Sequence, residues 1–474
     1  MADMNRVVVI GGGPGGYEAA LVAAQLGADV TVVDTDGLGG SAVLTDCVPS
    51  KTLIATAELM SDLAGAAELG LSFTDHEGDR AQSLHVDLAR VNARVQQLAA
   101  DQSADIERRL DREGVKVVRG RGRLDGAGDT GGVRRVAVTG DEGEQTLEAD
   151  AVLIATGAAP RTLETAQPDG ERILTWEQVY DLTDVPPKLI VVGSGVTGAE
   201  FASAYLAMGI AVTLVSSRDR VMPHEDPDAA MAIERVFRAR GMTILNNSRA
   251  AAARRVDGGV VVELADGRAV QGSHVLMAVG SVPQTAALGL TEYGVEVAPG
   301  GYVTVDRVSR TNVPGIYAAG DCTGLLPLAS VAAMQGRIAM WHALGEAVAP
   351  LKLRTVAANV FTDPELASVG ITQSDIDSGR VPARSVMLPL AGNARAKMDG
   401  LDDGFVKIFC RPASGLVVGG VVVAPKASEL IMPIAMAVEN HLSVDQLAHT
   451  ITIYPSISGS VAEAARQLMI HAED

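Results

Sequence analysis

Cysteine is scarce in this chain of 474 residues, which has three: Cys47, Cys322 and Cys410. Thiols this few and this far apart do not form the disulfide framework of a small secreted domain, and no Cys/His spacing matches a zinc site. We therefore expect no metal and a reducing, cytoplasmic location.

The chain also lacks an excess of basic residues and any long apolar run. Its 39 Lys and Arg are outnumbered by 58 Asp and Glu, which gives a net charge of -19. This charge disfavours nucleic acid or an anionic membrane surface as the main partner. No apolar run reaches bilayer-spanning length, and the start MADMNRVVVIGGG enters a strand with no room for a signal peptide. We expect no stable membrane insertion.

What the chain has in abundance is glycine, with 51 residues, and the first glycine cluster follows a short apolar run. Arg6 to Ile10 leads into GGGPGG, an Ala- and Leu-rich segment ends at Gly27, and a second apolar run covers Asp29 to Val33. This order predicts a strand, a glycine turn, a helix and a strand. Such a turn brings backbone N–H groups to a pyrophosphate, and Asp34 follows where a ribose-binding carboxylate is expected.

The same pattern occurs a second time. Gly193 repeats Gly11 and Ser216 repeats Asp34, each 182 residues later, and the second turn reads GSGVTG. The repeat predicts two Rossmann-like units in one chain. Two dinucleotide sites imply electron transfer between two nucleotide cofactors.

A second phrase is also repeated, because Val275 to Gly280 echoes Val152 to Gly157. The first copy of the unit is longer between its glycine turn and this phrase. The additional residues include Cys47 and two helical patterns, around Thr52 to Leu69 and Val86 to Glu113.

Three further segments carry recognisable motifs: GGSAVLTDCVPSK at 39–51, TNVPGIYAAGDC at 311–322 and FTDPELASVG at 361–370. With the paired glycine turns, they make the chain resemble, nearly end to end, the flavoprotein disulfide reductases, the family of dihydrolipoamide dehydrogenase and glutathione reductase. The resemblance implies an α/β fold with two Rossmann-like dinucleotide-binding domains and an α+β C-terminal dimerisation domain, in a homodimer. It implies a FAD-binding domain at 1-155 and 281-349, an NAD(P)-binding domain at 156-280 and a dimerisation domain at 350-474.

The resemblance also implies which residues bind the cofactors. Lys51 resembles the lysine beside flavin N5, where a cation stabilises negative charge on the reduced ring, and Glu200 resembles its ion-pair partner. The residues implied for FAD are Gly11, Gly13, Pro14, Gly16, Asp34, Lys51, Thr156, Gly157, Gly320 and Asp321. Those implied for the nicotinamide nucleotide are Gly193, Gly195, Gly198, Ser216, Ser217, Arg218 and Gly280.

Two departures from the family pattern remove its thiol chemistry. The family motif GG-x-C-x4-C-x-PSK has two cysteines that form a redox-active disulfide, but here Ala42 takes the first place and Cys47 the second. Where the family carries His-Pro-x-x-x-Glu, this chain has Tyr454 and Gly459 in place of the His and the Glu. A phenol is a poor proton donor near neutral pH, and one thiol cannot cycle through an intramolecular disulfide. The usual relay of electrons to a dithiol is therefore excluded.

The nicotinamide nucleotide is predicted to be NADPH, with NADH as the alternative. Ser216 replaces a ribose-binding carboxylate, and Ser217, Arg218 and Arg220 follow it. Hydroxyls and a guanidinium suit a 2'-phosphate, which a carboxylate would repel.

These observations predict a FAD-dependent NAD(P)H dehydrogenase that resembles the quinone reductase branch of the family. Our first hypothesis for the electron acceptor is a quinone, bound in a slot that Ala42 and Tyr454 would line. Lys51, Glu200, Tyr454 and Cys47 are the candidate catalytic residues. The alternatives are a soluble NAD(P) transhydrogenase of the same fold and a non-catalytic FAD-binding redox sensor that uses Cys47.

Overall fold

The computed structural model describes residues 6–66, 69–71, 85–126, 132–141 and 143–469. Within them the strands, β1 to β23 in chain order, are Arg6–Ile10, Asp29–Asp34, Lys116–Arg119, Arg121–Leu124, Arg134–Gly140, Gly143–Ala149, Ala151–Ile154, Ala158–Pro160, Ile173–Leu174, Lys188–Val192, Ala211–Val215, Thr243–Leu245, Ala250–Val256, Gly259–Leu264, Ala269–Gly272, His274–Met277, Ser281–Pro283, Ile316–Ala318, Ala357–Val360, Glu365–Gly370, Arg384–Pro389, Phe405–Cys410 and Val417–Ala424. The α-helices within the same residues, α1 to α13, are Pro14–Gln25, Gly40–Leu44, Cys47–Gly65, Leu88–Arg112, Val196–Ala207, Pro227–Ala239, Ala329–Ala343, Gln373–Asp377, Ala394–Met398, Ala427–Leu430, Met432–Glu439, Val444–Ala448 and Gly459–Gln467.

The chain forms two compact units. The first comprises Met1–Thr52, Asn92–Arg161 and Gly280–Leu353, and the second comprises Leu53–Val91, Thr162–Val279 and Arg354–Asp474. The first glycine turn lies in the first unit, and the second glycine turn and the C-terminal region lie in the second. The division into domains at 155, 280 and 349 stays a prediction.

The first unit is built on a parallel sheet with the strand order β18-β7-β1-β2-β3. Both faces of β1 are covered: Val7 and Val9 belong to the core with α1 and α7, and Val8 and Ile10 belong to the core with β4 and β5. This is why β1 reads as a continuous apolar run, since a parallel strand buried on both faces shows no polar alternation.

The second unit contains a parallel sheet of matching order, β12-β11-β10-β16-β9. Here β10 and β11 repeat β1 and β2, and α5 connects them as α1 does in the first unit. A three-stranded antiparallel sheet, β13-β14-β15, packs against it through Val260 and Val262, which share a core with Ile190 and Val192. The prediction of two Rossmann-like domains is confirmed.

The C-terminal part of the second unit is an antiparallel sheet of order β19-β20-β23-β22-β21, covered by α10 to α13. Ile434 and Ala464 from the helices are fully buried against Val406 and Ile408 of β22. Segregation of helices and antiparallel strands is the α+β arrangement that was predicted.

The two helices of the long insertion are present, with one shifted boundary. The second runs from Leu88 to Arg112, close to its prediction. The first starts at Cys47, five residues before the apolar pattern around Thr52 to Leu69, and Pro49 lies in its first turn, where proline is tolerated. It ends at Gly65, and residues 67 and 68 of the predicted pattern lie outside the described residues. No helix in the described ranges is both long and apolar enough to cross a membrane.

Candidate nucleotide-binding and redox site

The first glycine turn packs against the loop after β7. Gly11 has φ +105°, and a Cβ there would lie 2.3 Å from the carbonyl oxygen of Ala155. A Cβ at Gly16 would lie 1.9 Å from the carbonyl oxygen of Gly11, so neither position accepts a side chain. Because α1 begins directly after Gly13, the positive end of its dipole lies at this turn and can stabilise an anion such as a pyrophosphate.

Asp34, at the end of β2, organises this turn. Its Oδ2 accepts a hydrogen bond from the N–H of Gly12 at 2.6 Å, and its Oδ1 accepts from Asp36 at 2.9 Å and Gly37 at 2.7 Å. A carboxylate has room for more than three donors, so these bonds still leave acceptor capacity for a ribose diol. The ribose contact itself stays a prediction.

The second glycine turn repeats the geometry of the first. Gly193 has φ +109°, and a Cβ there would lie 2.0 Å from the carbonyl oxygen of Ala278. A Cβ at Gly198 would lie 1.9 Å from the carbonyl oxygen of Gly193. Gly195 differs, because the space around its missing Cβ is open within 4 Å and its φ is -73°. The protein itself does not require glycine at this position, whereas an approaching nucleotide would.

The residues predicted to select the nucleotide follow β11. Ser216 is fully buried, and its Oγ accepts hydrogen bonds from the Ser194 hydroxyl at 2.7 Å and the Arg218 N–H at 3.1 Å. Ser217 and Arg218 are exposed. Ser216 therefore stabilises the loop, while Ser217 and Arg218 have side chains available to a 2'-phosphate. Gly280, also predicted for this nucleotide, begins the last segment of the first unit.

At the carboxyl ends of β7 and β18, the first unit holds polar groups that fit FAD. Thr156 Oγ1 is buried and has no hydrogen-bond partner among the described residues, and Gly157 beside it has φ +66°. Gly320 has φ +83° and leads into Asp321. Burial and the negative charge of Asp46 raise the pKa of Asp321 to about 6. A buried hydroxyl and a desolvated carboxylate need hydrogen-bond partners, which the hydroxyls of a ribityl chain supply.

The motif that lost a cysteine forms α2 and the start of α3. Ala42 lies half-buried in α2, and Cys47 is the first residue of α3. Cys47 and Lys51 are four residues apart, so they lie on the same face of this helix. Burial raises the pKa of Asp46, and the nearby Lys51 ammonium partly offsets this rise.

Two predicted catalytic residues lie in the second unit. Glu200 is 3% exposed within α5, and its Oε1 accepts a hydrogen bond from the N–H of Phe361 at 2.9 Å. Tyr454 is 86% exposed, next to Ile453 at 80%. The ion pair between Lys51 and Glu200, and the place of Tyr454 in an acceptor slot, stay predictions.

Two residues of these sites were not predicted. Asp46 acts on Asp321, and no motif marks it beyond its place directly before Cys47. Ser194 anchors Ser216, and the 182-residue repeat contained a signal for it, because the repeat pairs Ser194 with the Gly12 that contacts Asp34.

Residues 5–336 match the model of the pyridine nucleotide-disulphide oxidoreductases, and residues 356–465 match the dimerisation domain of the same family. The chain belongs to the pyridine nucleotide-disulphide oxidoreductase family. The resemblance drawn from the motifs is thus confirmed, and the second match supports the predicted homodimer. Members of this family bind FAD and use NAD(P)H, in agreement with the predicted cofactors.

Individual relatives cover nearly the whole chain. It is 57% identical to a protein of Mycobacterium tuberculosis named NAD(P)H dehydrogenase (quinone), over 99% of this chain and 94% of that one. It is 31% identical to the dihydrolipoyl dehydrogenase of Bacillus subtilis, over 98% and 100%. The crystal structure of LpdA from Mycobacterium tuberculosis matches with a TM-score of 0.93 at 57% identity, over 98% and 100% of the two chains. The HOCl-induced flavoprotein disulfide reductase RclA from Escherichia coli, at 23% identity and TM-score 0.84 over 97% and 99%, shares the fold.

Proposed function

We propose that this chain is a FAD-dependent dehydrogenase in which NAD(P)H, a quinone and a proton give NAD(P)+ and a hydroquinone. The observation that carries the proposal is a contrast within the molecule. Both glycine turns keep the close backbone packing that only glycine allows. Ala42 and Tyr454, however, stand where the family's dithiol chemistry needs a thiol and an imidazole.

The relatives support the same choice of acceptor. The Mycobacterium tuberculosis protein named NAD(P)H dehydrogenase (quinone) is 57% identical, whereas the Bacillus subtilis dihydrolipoyl dehydrogenase is 31% identical. A quinone takes up electrons and protons without forming a mixed disulfide, so its reduction requires neither a cysteine pair nor a thiol-protonating histidine.

FAD, when bound, supplies the two-electron chemistry that links the nicotinamide to the acceptor. The turn from Gly11 to Gly16 would hold its pyrophosphate at the start of α1, and Thr156 and Asp321 would bind its hydroxyl groups. Lys51 would provide a fixed positive charge at the reacting end, and Glu200 would compensate this charge.

NADPH is the nucleotide that we propose as the preferred electron donor. Ser217 and Arg218 are exposed and carry the hydroxyl and guanidinium groups that bind a phosphate. Ser216 brings no charge to this loop, so a 2'-phosphate meets no carboxylate at the place that Asp34 occupies in the first unit.

For the quinone, we propose that Ala42 contributes an apolar surface, and we propose Tyr454 as a stacking residue for the acceptor. A methyl group in place of a thiol removes a nucleophile and leaves an apolar surface. The Tyr454 ring is 86% exposed in the single chain, so its face is available for stacking on a flat acceptor. Cytoplasmic location is part of the proposal, supported by the scarcity of cysteine and by the buried thiols of Cys322 and Cys410.

The deciding experiment is an anaerobic titration of the FAD-loaded protein with NADPH, followed by rapid mixing with a quinone, glutathione disulfide, lipoamide or thio-NAD while the flavin absorbance is recorded. The proposal expects a short-chain quinone to reoxidise the flavin fastest. Fast reoxidation by glutathione disulfide or lipoamide, with no response to quinone, would refute it. Fast reoxidation by thio-NAD would instead identify a transhydrogenase.

The redox-sensor alternative is separated by Cys47→Ser in the same assay. We expect quinone-dependent reoxidation to persist in this variant within about threefold, because the proposed reaction uses no thiol. A sensor would lose its response to peroxide and show no turnover with quinone in either form.

A further inference from the structure

Lys407, on β22, carries a charge that is almost fully removed from solvent. It is 3% exposed, and its Nζ lies 3.0 Å from Asp226 Oδ2 and 2.7 Å from Asp228 Oδ2. The same ammonium lies 5.4 Å from the centroid of the Phe409 ring. Buried charges persist only with such partners, so these two aspartates and Lys407 fix each other's positions.

Asp226 has a second task in addition to the ion pair. Its Oδ1 accepts hydrogen bonds from the N–H groups of Asp228 at 2.9 Å and Ala229 at 3.3 Å, which caps the first turn of α6. One carboxylate therefore joins the start of α6 to β22. Lys407 lies in the region that matches the dimerisation domain. Helix α6, in contrast, is the element that follows β11 in the second Rossmann-like unit.

Residues 217–226, which follow Ser216 and end where α6 begins, are here called the nucleotide loop, because they begin with Ser217 and Arg218. Its middle is tied to the second glycine turn, since the Met222 N–H donates to the carbonyl oxygen of Ser194 at 2.8 Å. Met222 is 1% exposed and has φ +47°, a left-handed conformation that is unfavourable for a side chain of this size. Such a conformation persists only where both flanks are held in place.

The two flanks are held by different contacts. On the β11 side, Ser216 is bonded to Ser194 and to the N–H of Arg218. On the α6 side, Asp226 is bonded to Lys407. Removal of the Lys407 charge would leave Asp226 as a buried carboxylate without a cation, and it would be stabilised by moving towards solvent. The loop that carries Ser217 and Arg218 would shift with it.

We propose that Lys407 is a positioning residue for the nicotinamide nucleotide, which acts through Asp226 to hold the nucleotide loop in its binding conformation. This inference rests on the proposed function, which assigns a 2'-phosphate to Ser217 and Arg218. It makes a residue of the dimerisation domain a determinant of nucleotide affinity and selectivity.

The test is isothermal titration of the oxidised, FAD-loaded dimer with NADP+ and with NAD+, together with its thermal midpoint. Lys407→Met is compared with Arg235→Gln. This control breaks an exposed ion pair between Arg235 of α6 and Asp403. We expect Lys407→Met to raise the Kd for NADP+ about threefold to thirtyfold, with a smaller change for NAD+ and none in the control. A lower thermal midpoint with both Kd values unchanged would overturn the inference.

The double variant Lys407→Met/Asp226→Asn separates positioning from folding. It removes the uncompensated buried charge and keeps an oxygen that can cap α6, so it should fold even where the single variant does not. If Lys407→Met raises the Kd for NADP+, a return to the wild-type Kd in the double variant supports the inference, because Asn at position 226 has no charge that drives the loop towards solvent. A Kd that stays as high as in the single variant would show that Lys407 does not act through Asp226. If the wild type binds NAD+ more tightly than NADP+, the proposed preference for NADPH is wrong. The effect of Lys407→Met is then measured as the change in the Kd for NAD+.

Discussion

Asp34 and Ser216 hold equivalent positions at the ends of β2 and β11, and each closes the glycine turn of its own unit. Asp34 accepts a hydrogen bond from the Gly12 N–H at 2.6 Å, and Ser216 accepts one from the Ser194 hydroxyl at 2.7 Å. The first unit thus closes its turn with a charged carboxylate, and the second with a pair of neutral hydroxyls. This difference agrees with the proposal that the two units bind nucleotides of different charge.

Arg218→Ala is expected to weaken the binding of NADPH more than the binding of NADH. Loss of a charge-assisted bond to the 2'-phosphate should raise the KM for NADPH about tenfold or more, while the KM for NADH stays within about twofold. Steady-state quinone reduction with both donors measures this. Arg254→Ala, which removes an exposed arginine on β13 paired with Glu263, is the control. An equal change for both nucleotides would show that Arg218 does not contact the phosphate.

Gly195→Ala and Gly198→Ala should have opposite profiles. An alanine at 195 meets no atom within 4 Å, so the thermal midpoint should be unchanged, but its methyl group would obstruct an approaching pyrophosphate. We expect the Kd for NADP+ to rise about tenfold or more. At 198 the new Cβ would lie 1.9 Å from the Gly193 carbonyl oxygen, which should lower stability by about 1–3 kcal/mol. Unchanged nucleotide binding in Gly195→Ala would contradict the predicted site.

Two substitutions of Glu200 should separate the effect of its charge from the effect of its hydrogen bond to the Phe361 N–H. Glu200→Gln keeps an oxygen for the Phe361 N–H but removes the charge, so stability should change little while NADPH reduces the flavin more slowly. Glu200→Ala also removes the acceptor and should lower the free energy of unfolding by about 1–3 kcal/mol. Stopped-flow absorbance and urea unfolding measure the two effects. A Glu200→Gln variant with a wild-type rate of flavin reduction would exclude the charge from the reaction.

Asp321 should make the flavin-free protein less stable as the pH rises. Its pKa is about 6 in the folded state and 3.8 when unperturbed, so the folded state keeps a proton that the unfolded chain releases. This contribution is fully present below pH 3.8 and is lost as the pH rises through about 6, with a total of about 3 kcal/mol. Urea unfolding at several pH values should therefore find Asp321→Asn more stable than the wild type at pH 7.5.

Asp46→Asn is the matched control for this titration. It leaves Asp321 buried, which is the larger cause of its raised pKa, but removes the negative charge of Asp46 that adds to this rise, so the loss of stability should move to lower pH. If the wild type and both variants shared one pH profile, the coupling between Asp46 and Asp321 would be disproved.

Much of the nucleotide-binding architecture was predictable, because it is encoded locally. The positive φ of Gly11 and Gly193, and the start of a helix directly after each turn, depend on a few consecutive residues. The apolar pattern from Thr52 marks only part of α3, which starts at Cys47, because such a pattern does not show how far a helix extends into a first turn that contains Pro49.

The sequence alone therefore determined the two Rossmann-like units, the kind of cofactor and the loss of dithiol chemistry at Ala42 and Tyr454, because each depends on residue type and spacing. Only the tertiary structure decided which side chains of those units are buried, exposed or paired. It buried Ser216 and left Arg218 exposed, brought Asp46 near Asp321, and paired Lys407 with Asp226. The last two relationships join residues far apart in the chain, and burial and charge are set by packing rather than by any local pattern.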